Sequence, residues 1–254
     1  MNKIETKTFS ALCAVTAIAI SVMACSAVPL GGTAGESGTE TPSAESASPT
    51  PADTPTPEPP PPATGHIAFI SGRDGKKKLY MMNADGSGQW PLTSGDSEEE
   101  SPSWSPDGTR VVYASTVNKN TDIYVINVNT GVITRLTDDP ARDAVPSWSP
   151  DGTRVVFESF RDGNIQIYVV NADGSGLKRI TNDDAADTNP IWSPDGRTIA
   201  FMSSRNNINA NIYLIPADGG SLTALTNEPP PDSDPVWSPD GTRVVFESFR
   251  DGNI

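Results

Sequence analysis

Trp104, Trp148, Trp192 and Trp237 each open the pentapeptide Trp-Ser-Pro-Asp-Gly, and they stand 44, 44 and 45 residues apart. Tyr80, Tyr124, Tyr168 and Tyr213 keep the same intervals. A fixed period of this size marks a repeat architecture, in which one supersecondary unit recurs and buries its apolar faces against its neighbours. Residues 102–145, 146–189 and 190–234 are three complete units, with partial units at 66–101 and 235–254.

Each unit reads as four short strands. A segment ending at the Trp meets Ser-Pro-Asp-Gly, and Asp-Gly between apolar runs is a hairpin signal because Gly accepts positive φ. Asp107, Asp151, Asp195 and Asp240 therefore have a conformational role in these turns. Val155-Val156-Phe157 and its counterparts form the second strand, Ile167 to Val170 the third, and Leu177 to Thr181, after the turn Ala172 to Gly176, the fourth. No sustained 3.6-residue apolar period competes with this pattern. Four antiparallel strands per unit make one propeller blade, and the repeated Trp with the apolar second strand fills the space between blades. The fold class expected is all-β, a propeller of four-stranded antiparallel blades.

The full pattern runs Pro-x-Trp-Ser-Pro-Asp-Gly-x-x-Ile/Val-x-Phe-x-Ser-x-Arg, then Ile-Tyr, Ala-Asp-Gly and Leu/Ile-Thr. It resembles the WD40-like repeat of the TolB propeller family over residues 66–254. That resemblance implies the fold, and similar blades also form the propellers of prolyl-oligopeptidase-like peptidases. Periplasmic TolB carries an α/β domain ahead of its propeller, where this sequence has other material, so no Tol-Pal role is carried over.

That other material reads as an address and a spacer. Lys3 and Lys7 precede an apolar run from Ala11 to Ala24, too short to span a bilayer comfortably and typical of a secretory signal. Val22-Met23-Ala24-Cys25 resembles a bacterial lipobox, which makes Cys25 the lipidated first residue of the mature chain. An ordinary signal peptide with Cys25 incidental is the alternative. Residues 26–64 are rich in Pro, Ser, Thr, Gly and Glu, and such a composition cannot bury enough apolar area to offset chain entropy. The domain plan is thus a signal peptide and lipobox at 1–25, a disordered spacer at 26–64 and propeller repeats at 65–254. The expected location is extracytoplasmic, with a lipid anchor in a bacterial membrane.

Counting strands by the repeat gives three in residues 66–93, four in each complete unit and two in 235–254, or seventeen. A six-bladed ring needs about 24. Residues 237–254 are also identical to 148–165. The expectation is therefore an incomplete propeller from a C-terminally truncated sequence.

The net charge is −14, of which residues 65–254 carry −10, and this excludes nucleic acid, which needs clustered Lys and Arg. Glu99, Asp143, Asp187 and Asp232 stand three residues before each unit's opening Pro, placing one loop-face carboxylate per blade near a channel mouth. Oxygen ligands in a ring suit a hard cation. The alternative is turn capping, or inter-blade pairing with Arg73, Arg161, Arg205 and Arg250; the unit opening at Pro102 has Val117 in that place. Lys76, Lys77 and Lys78 read as a solvated loop. His66 is the single histidine, and the nearest string to a nucleophile elbow, Gly35-Glu36-Ser37-Gly38, lies in the spacer. No catalytic residue, metal or cofactor is assigned. The reading is a non-catalytic binding module with a protein, peptide or glycan partner. The alternative is the propeller domain of a prolyl-oligopeptidase-like hydrolase.

Overall fold

The computed structural model describes residues 65–205 and 209–250, so Cys25, the signal segment and the spacer lie outside the described residues. Seventeen strands and no helix occur among them, the number expected from the repeat. The first sheet is β1 (His66–Ser71), β2 (Lys78–Asn83) and β3 (Trp90–Pro91). The second holds β4 (Glu98–Trp104), β5 (Arg110–Val117), β6 (Asn120–Asn127) and β7 (Ile133–Arg135). The third holds β8 (Asp143–Trp148), β9 (Arg154–Ser159), β10 (Gln166–Asn171) and β11 (Lys178–Arg179). The fourth holds β12 (Asp187–Trp192), β13 (Thr198–Ser203), β14 (Asn211–Pro216) and β15 (Thr223–Ala224). The fifth is β16 (Asp232–Trp237) with β17 (Val244–Ser248). Every pairing is antiparallel between strands consecutive in the chain.

The Ser-Pro-Asp-Gly turns are wired identically. In the second sheet Ser105 Oγ donates to Asp107 Oδ1 at 2.5 Å and accepts from the Arg110 amide at 2.9 Å. The Thr109 amide donates to the same carboxylate oxygen at 3.0 Å, and Gly108 takes φ 68°. Ser149 with Asp151, Ser193 with Asp195 and Ser238 with Asp240 repeat the arrangement. A carboxylate that accepts several hydrogen bonds is stabilised as the anion. The serine hydroxyl, then the following amide, hold Asp107 and Asp240 down to about 2.

Because side chains alternate along a strand, each sheet has two apolar faces and can cover neither alone. From the third sheet, Trp148, Val155, Phe157, Tyr168 and Val170 pack with Val112, Ala114, Ile123 and Val125 of the second. Its other face, Val156, Ile167 and Val169, packs with Trp192, Ile199, Phe201 and Ile215 of the fourth. Each such side chain contributes about 1.5–3 kcal/mol on full burial. Arg110 lies over the Trp148 ring at 4.5 Å and Arg154 over Trp192 at 4.7 Å, so each of these indoles is capped by a guanidinium from the preceding blade.

The first strands of successive sheets also pack on one another, β4 on β8, β8 on β12 and β12 on β16. They form the inner edge of the stack, and the short β3, β7, β11 and β15 form the outer edge. Fourth strands are shorter than the sequence pattern predicts, two residues in β11 where five were expected. Each inner strand carries a bulge before its Pro, where the register shifts and Ser101, Val145, Asn189 and Asp234 take φ of 52°, 50°, 53° and 50°. A β-branched valine at such an angle is strained, and only the surrounding packing holds it there.

Two outcomes test this architecture. Trp148→Ala should cost about 3–5 kcal/mol in denaturant unfolding, since it opens a cavity between two blades. The turn aspartates titrate near 3.8 when unfolded and, for Asp107 and Asp240, near 2 when folded. Their stabilisation is therefore complete above the unfolded value and lost as pH falls toward 2, which carboxyl-carbon NMR titration will resolve site by site.

Candidate functional site

The four carboxylates expected to ring a channel mouth sit at or near the start of the inner strands, and all are buried: Glu99 is 2% exposed, and Asp143, Asp187 and Asp232 are 0%. They do not form an open rim for a cation, because the chain's own cations occupy them. Arg161 Nη2 donates to both oxygens of Asp143 at 3.0 and 2.8 Å. Its Nε donates to Ser159 Oγ at 2.9 Å, and its guanidinium lies over Tyr168 at 4.8 Å. Arg205 holds Asp187 at 2.8 and 3.1 Å with the same support from Ser203 and Tyr213. Arg250 holds Asp232 at 2.9 Å.

These pairs close within one blade, which corrects the inter-blade expectation. Asp143 stands opposite Ser159 in the β8–β9 ladder, so an arginine two residues beyond Ser159 reaches back across its own sheet. Burial raises the Asp187 pKa, opposed by hydrogen bonds from Ser203 and Thr181 and by the charge and hydrogen bond of Arg205.

Glu99 is the exception. With Val117 in the arginine's place, its partner is Lys78 of the preceding sheet, Nζ to Oε2 at 3.3 Å, and both side chains are buried. Lys78 is thus not part of a solvated basic loop; it opens β2 at 5% exposure. The same register position in later blades is Asp122, Gln166 and Asn211, all buried. Asp122 accepts from Arg135 at 2.7 Å and Asn120 at 3.0 Å, and burial raises its pKa, with the Asp143 charge adding to the rise.

A second set of polar residues runs along the inner strands. Arg142 Nη2 donates to Glu100 Oε1 of the second sheet at 2.6 Å, and Nη1 donates to Glu158 Oε1 of the third at 3.0 Å. Glu158 Oε2 accepts from the amide of Asn189 in the fourth sheet at 3.2 Å, and Asn189 Nδ2 donates to Asp234 Oδ1 in the fifth. One network therefore links four blades. Burial raises the Glu158 pKa, against the bonds from Asn189 and Arg142.

Beside this network lies a cleft of about 160 Å³ lined by Arg142, Glu158, Ser159, Phe160 and Ile165. Phe160 is 50% exposed although its blade is covered on both faces. The cleft lining sets one guanidinium, Arg142, against one carboxylate, Glu158, and Glu100 accepts from the same guanidinium. A wider cleft of about 350 Å³ lies against Val244, Phe246 and Arg250, where the fifth sheet ends after two strands. Among the described residues no group of three or more His, Cys, Asp or Glu side chains could hold a metal.

The network was missed because most of its members do not recur. The Arg142 position is Glu98, Ala186 and Pro231 in the other blades, and the Glu158 position is Ala114, Met202 and Glu247. Breaks in an otherwise strict repeat were the available signal.

Four-stranded antiparallel sheets stacked face to face, with their first strands gathered along one inner edge, define a β-propeller protein. The chain belongs to the TolB family: the model of the TolB beta propeller domain matches residues 66–210 and 185–254. Among solved structures, the putative TolB from Agrobacterium tumefaciens is 30% identical with a TM-score of 0.63, covering 72% of this chain and 71% of that one. TolB from Acinetobacter baumannii is 27% identical with a TM-score of 0.63, covering 70% of this chain and 45% of that one. This chain therefore spans less than half the length of the Acinetobacter protein. A puromycin hydrolase, 16% identical over 65% of this chain and 31% of its own, with a TM-score of 0.51, shares the fold. No curated protein matches.

Lys78→Met should destabilise the protein by about 3–5 kcal/mol, because it leaves Glu99 charged and buried without a cation. Glu99→Gln in the same chain should restore a large part of that loss. A double-mutant cycle in urea that gives strictly additive costs would show that the two residues do not interact.

Proposed function

We propose that this protein is a lipid-anchored, extracytoplasmic binding module that engages a protein or peptide partner at the inner-strand cleft and performs no catalysis. The observation that carries the reading is the Arg142 network with its cleft. A guanidinium held by two carboxylates is rigid, the network around it carries three carboxylates, Glu100, Glu158 and Asp234, to one guanidinium, and the half-exposed Phe160 supplies an apolar platform beside it. Exposed aromatic side chains next to ordered charges are what recognition surfaces are made of. A cationic side chain on an apolar stem, lysine or arginine in an extended segment, meets both features at once.

TolB family membership supports a scaffold whose variable inner positions contact partners, since fold and site are separable in propellers. The resemblance of Val22-Met23-Ala24-Cys25 to a lipobox, together with the composition of residues 26–64, supports the anchor and spacer. The likeness to puromycin hydrolase bears on the fold only, and the hydrolase reading gains no residue from it.

Binding of Lys- and Arg-containing peptides to the immobilised protein should weaken about tenfold or more in Phe160→Ala and in Glu158→Gln. Thermal stability should stay near wild type in Phe160→Ala, because that ring is half in solvent. Equal affinity in both variants would remove the cleft from the reading. The anchor is tested separately, by fractionation: Cys25→Ser should move the protein from the membrane to the soluble extracytoplasmic fraction.

A further inference from the structure

In each of the first four sheets one third-strand residue stands opposite a second-strand serine: Lys78 opposite Ser71, Asp122 opposite Ser115, Gln166 opposite Ser159 and Asn211 opposite Ser203. This position borders the buried carboxylate of the next sheet's inner strand. The carbonyl just before it accepts the Glu99 amide from Lys77 at 3.0 Å, the Asp187 amide from Ile165 at 2.9 Å and the Asp232 amide from Ala210 at 2.9 Å. Lys78 answers Glu99 with a positive charge. Gln166 is neutral and donates from Nε2 to Ala185 O at 2.7 Å, and Asn211 is neutral too. Asp122 alone of the four carries a negative charge, and the neighbour it acts on is Asp143.

Asp122 is 2% exposed and Asp143 is 0%. The cations at hand are already divided. Arg161 gives both oxygens of Asp143 a hydrogen bond, and Arg135 of β7 is shared between Asp122 and Asp138, at 2.7 Å from each. Three carboxylates thus hold two guanidiniums. Asn120 adds a bond to Asp122 Oδ2, while Oδ1 is buried with no hydrogen-bond partner among the described residues. The other polar groups about this point are engaged elsewhere. Ser115 of β5 turns its hydroxyl to Glu99 at 3.5 Å, and Asp139 Oδ1 accepts from the Ala141 amide at 2.9 Å. Tyr124, two residues along β6, adds no cation. Two buried carboxylates side by side resist carrying charge together. Burial raises the Asp122 pKa, and the Asp143 charge adds to the rise against the bond and charge of Arg135.

We propose that Asp122 is a proton-operated latch between the second and third sheets: protonated, it leaves the joint uncharged at this position, as Gln166 and Asn211 do, and ionised, it sets two carboxylates against each other and loosens the joint. A proton on Oδ1 converts an idle buried acceptor into a donor and removes the repulsion toward Asp143. Arg142 precedes Asp143 in the chain and bonds Glu100 across the same joint, so the latch lies next to the inner-strand network whatever the cleft binds. With the folded value raised above 3.8, the stabilisation is complete below 3.8 and is lost as pH rises through the folded value. This is the opposite sign to the turn aspartates.

Asp122→Asn places in the second sheet the residue that the fourth already has at this position. Urea unfolding of the full chain at about pH 4 and about pH 8 should show the wild type losing stability relative to this variant as pH rises, by about tenfold in the unfolding constant per unit of pKa rise. Hydrogen exchange reads the location: at the higher pH the amides of β6 and β8 should open more readily in the wild type than in the variant. Carboxyl-carbon NMR of the unsubstituted chain needs no variant, and it should find Asp122 titrating above 3.8. A value at or below 3.8 overturns the proposal, because Arg135 then outweighs burial and Asp143. So does a stability difference that is the same at both pH values, or protection of β6 and β8 that the substitution leaves unchanged.

Discussion

Everything in this structure depends on the fact that no sheet can cover its own faces. Val155 and Phe157 point to one neighbour while Val156 points to the other, so a single unit would leave apolar side chains in water on both sides. Stacking is the only arrangement that buries both, and the Trp capped by the preceding blade's arginine lies in that joint. The Ser-Pro-Asp-Gly turns serve the same end. They hold the first and second strands in a register that brings the Trp beside the apolar second strand.

Buried charge is handled by one device with one substitution. Three inner-strand aspartates are held by arginines of their own blade, and in the third and fourth sheets the arginine is oriented by a serine and stacked on an aromatic ring. Where Val117 replaces that arginine, Lys78 of the adjacent blade takes its role, and an intra-blade pair becomes a bridge between blades. Leaving Glu99 unpaired at 2% exposure would cost several kcal/mol, so the loss of one cation required another within reach.

Along the inner edge the repeat is broken, and there the structure gathers charges most of which do not recur. Arg142, Glu100, Glu158, Asn189 and Asp234 tie four blades together, and the bulge before each Pro brings Asn189 to Glu158. Rigidity and recognition share these residues. A network that fixes the relative position of blades also presents an ordered acidic surface beside Phe160.

Strand number, strand order, the hairpin turns and the conformational role of Asp107, Asp151, Asp195 and Asp240 were all determined by the sequence. Each depends on residues within a few positions of one another, where alternation and turn chemistry act directly. The burial of Glu99, Asp143, Asp187 and Asp232, the direction in which their cations approach, and the Arg142 network were decided only by the tertiary structure. The residues involved lie about 16 to 45 positions apart, and their meeting depends on ladder register and blade stacking, which local spacing does not encode. Val156 and Val245 make the same point in the smallest compass. Their sequence contexts are identical, yet one is sealed and the other is bare, because burial belongs to what lies opposite a residue and not to the residue itself.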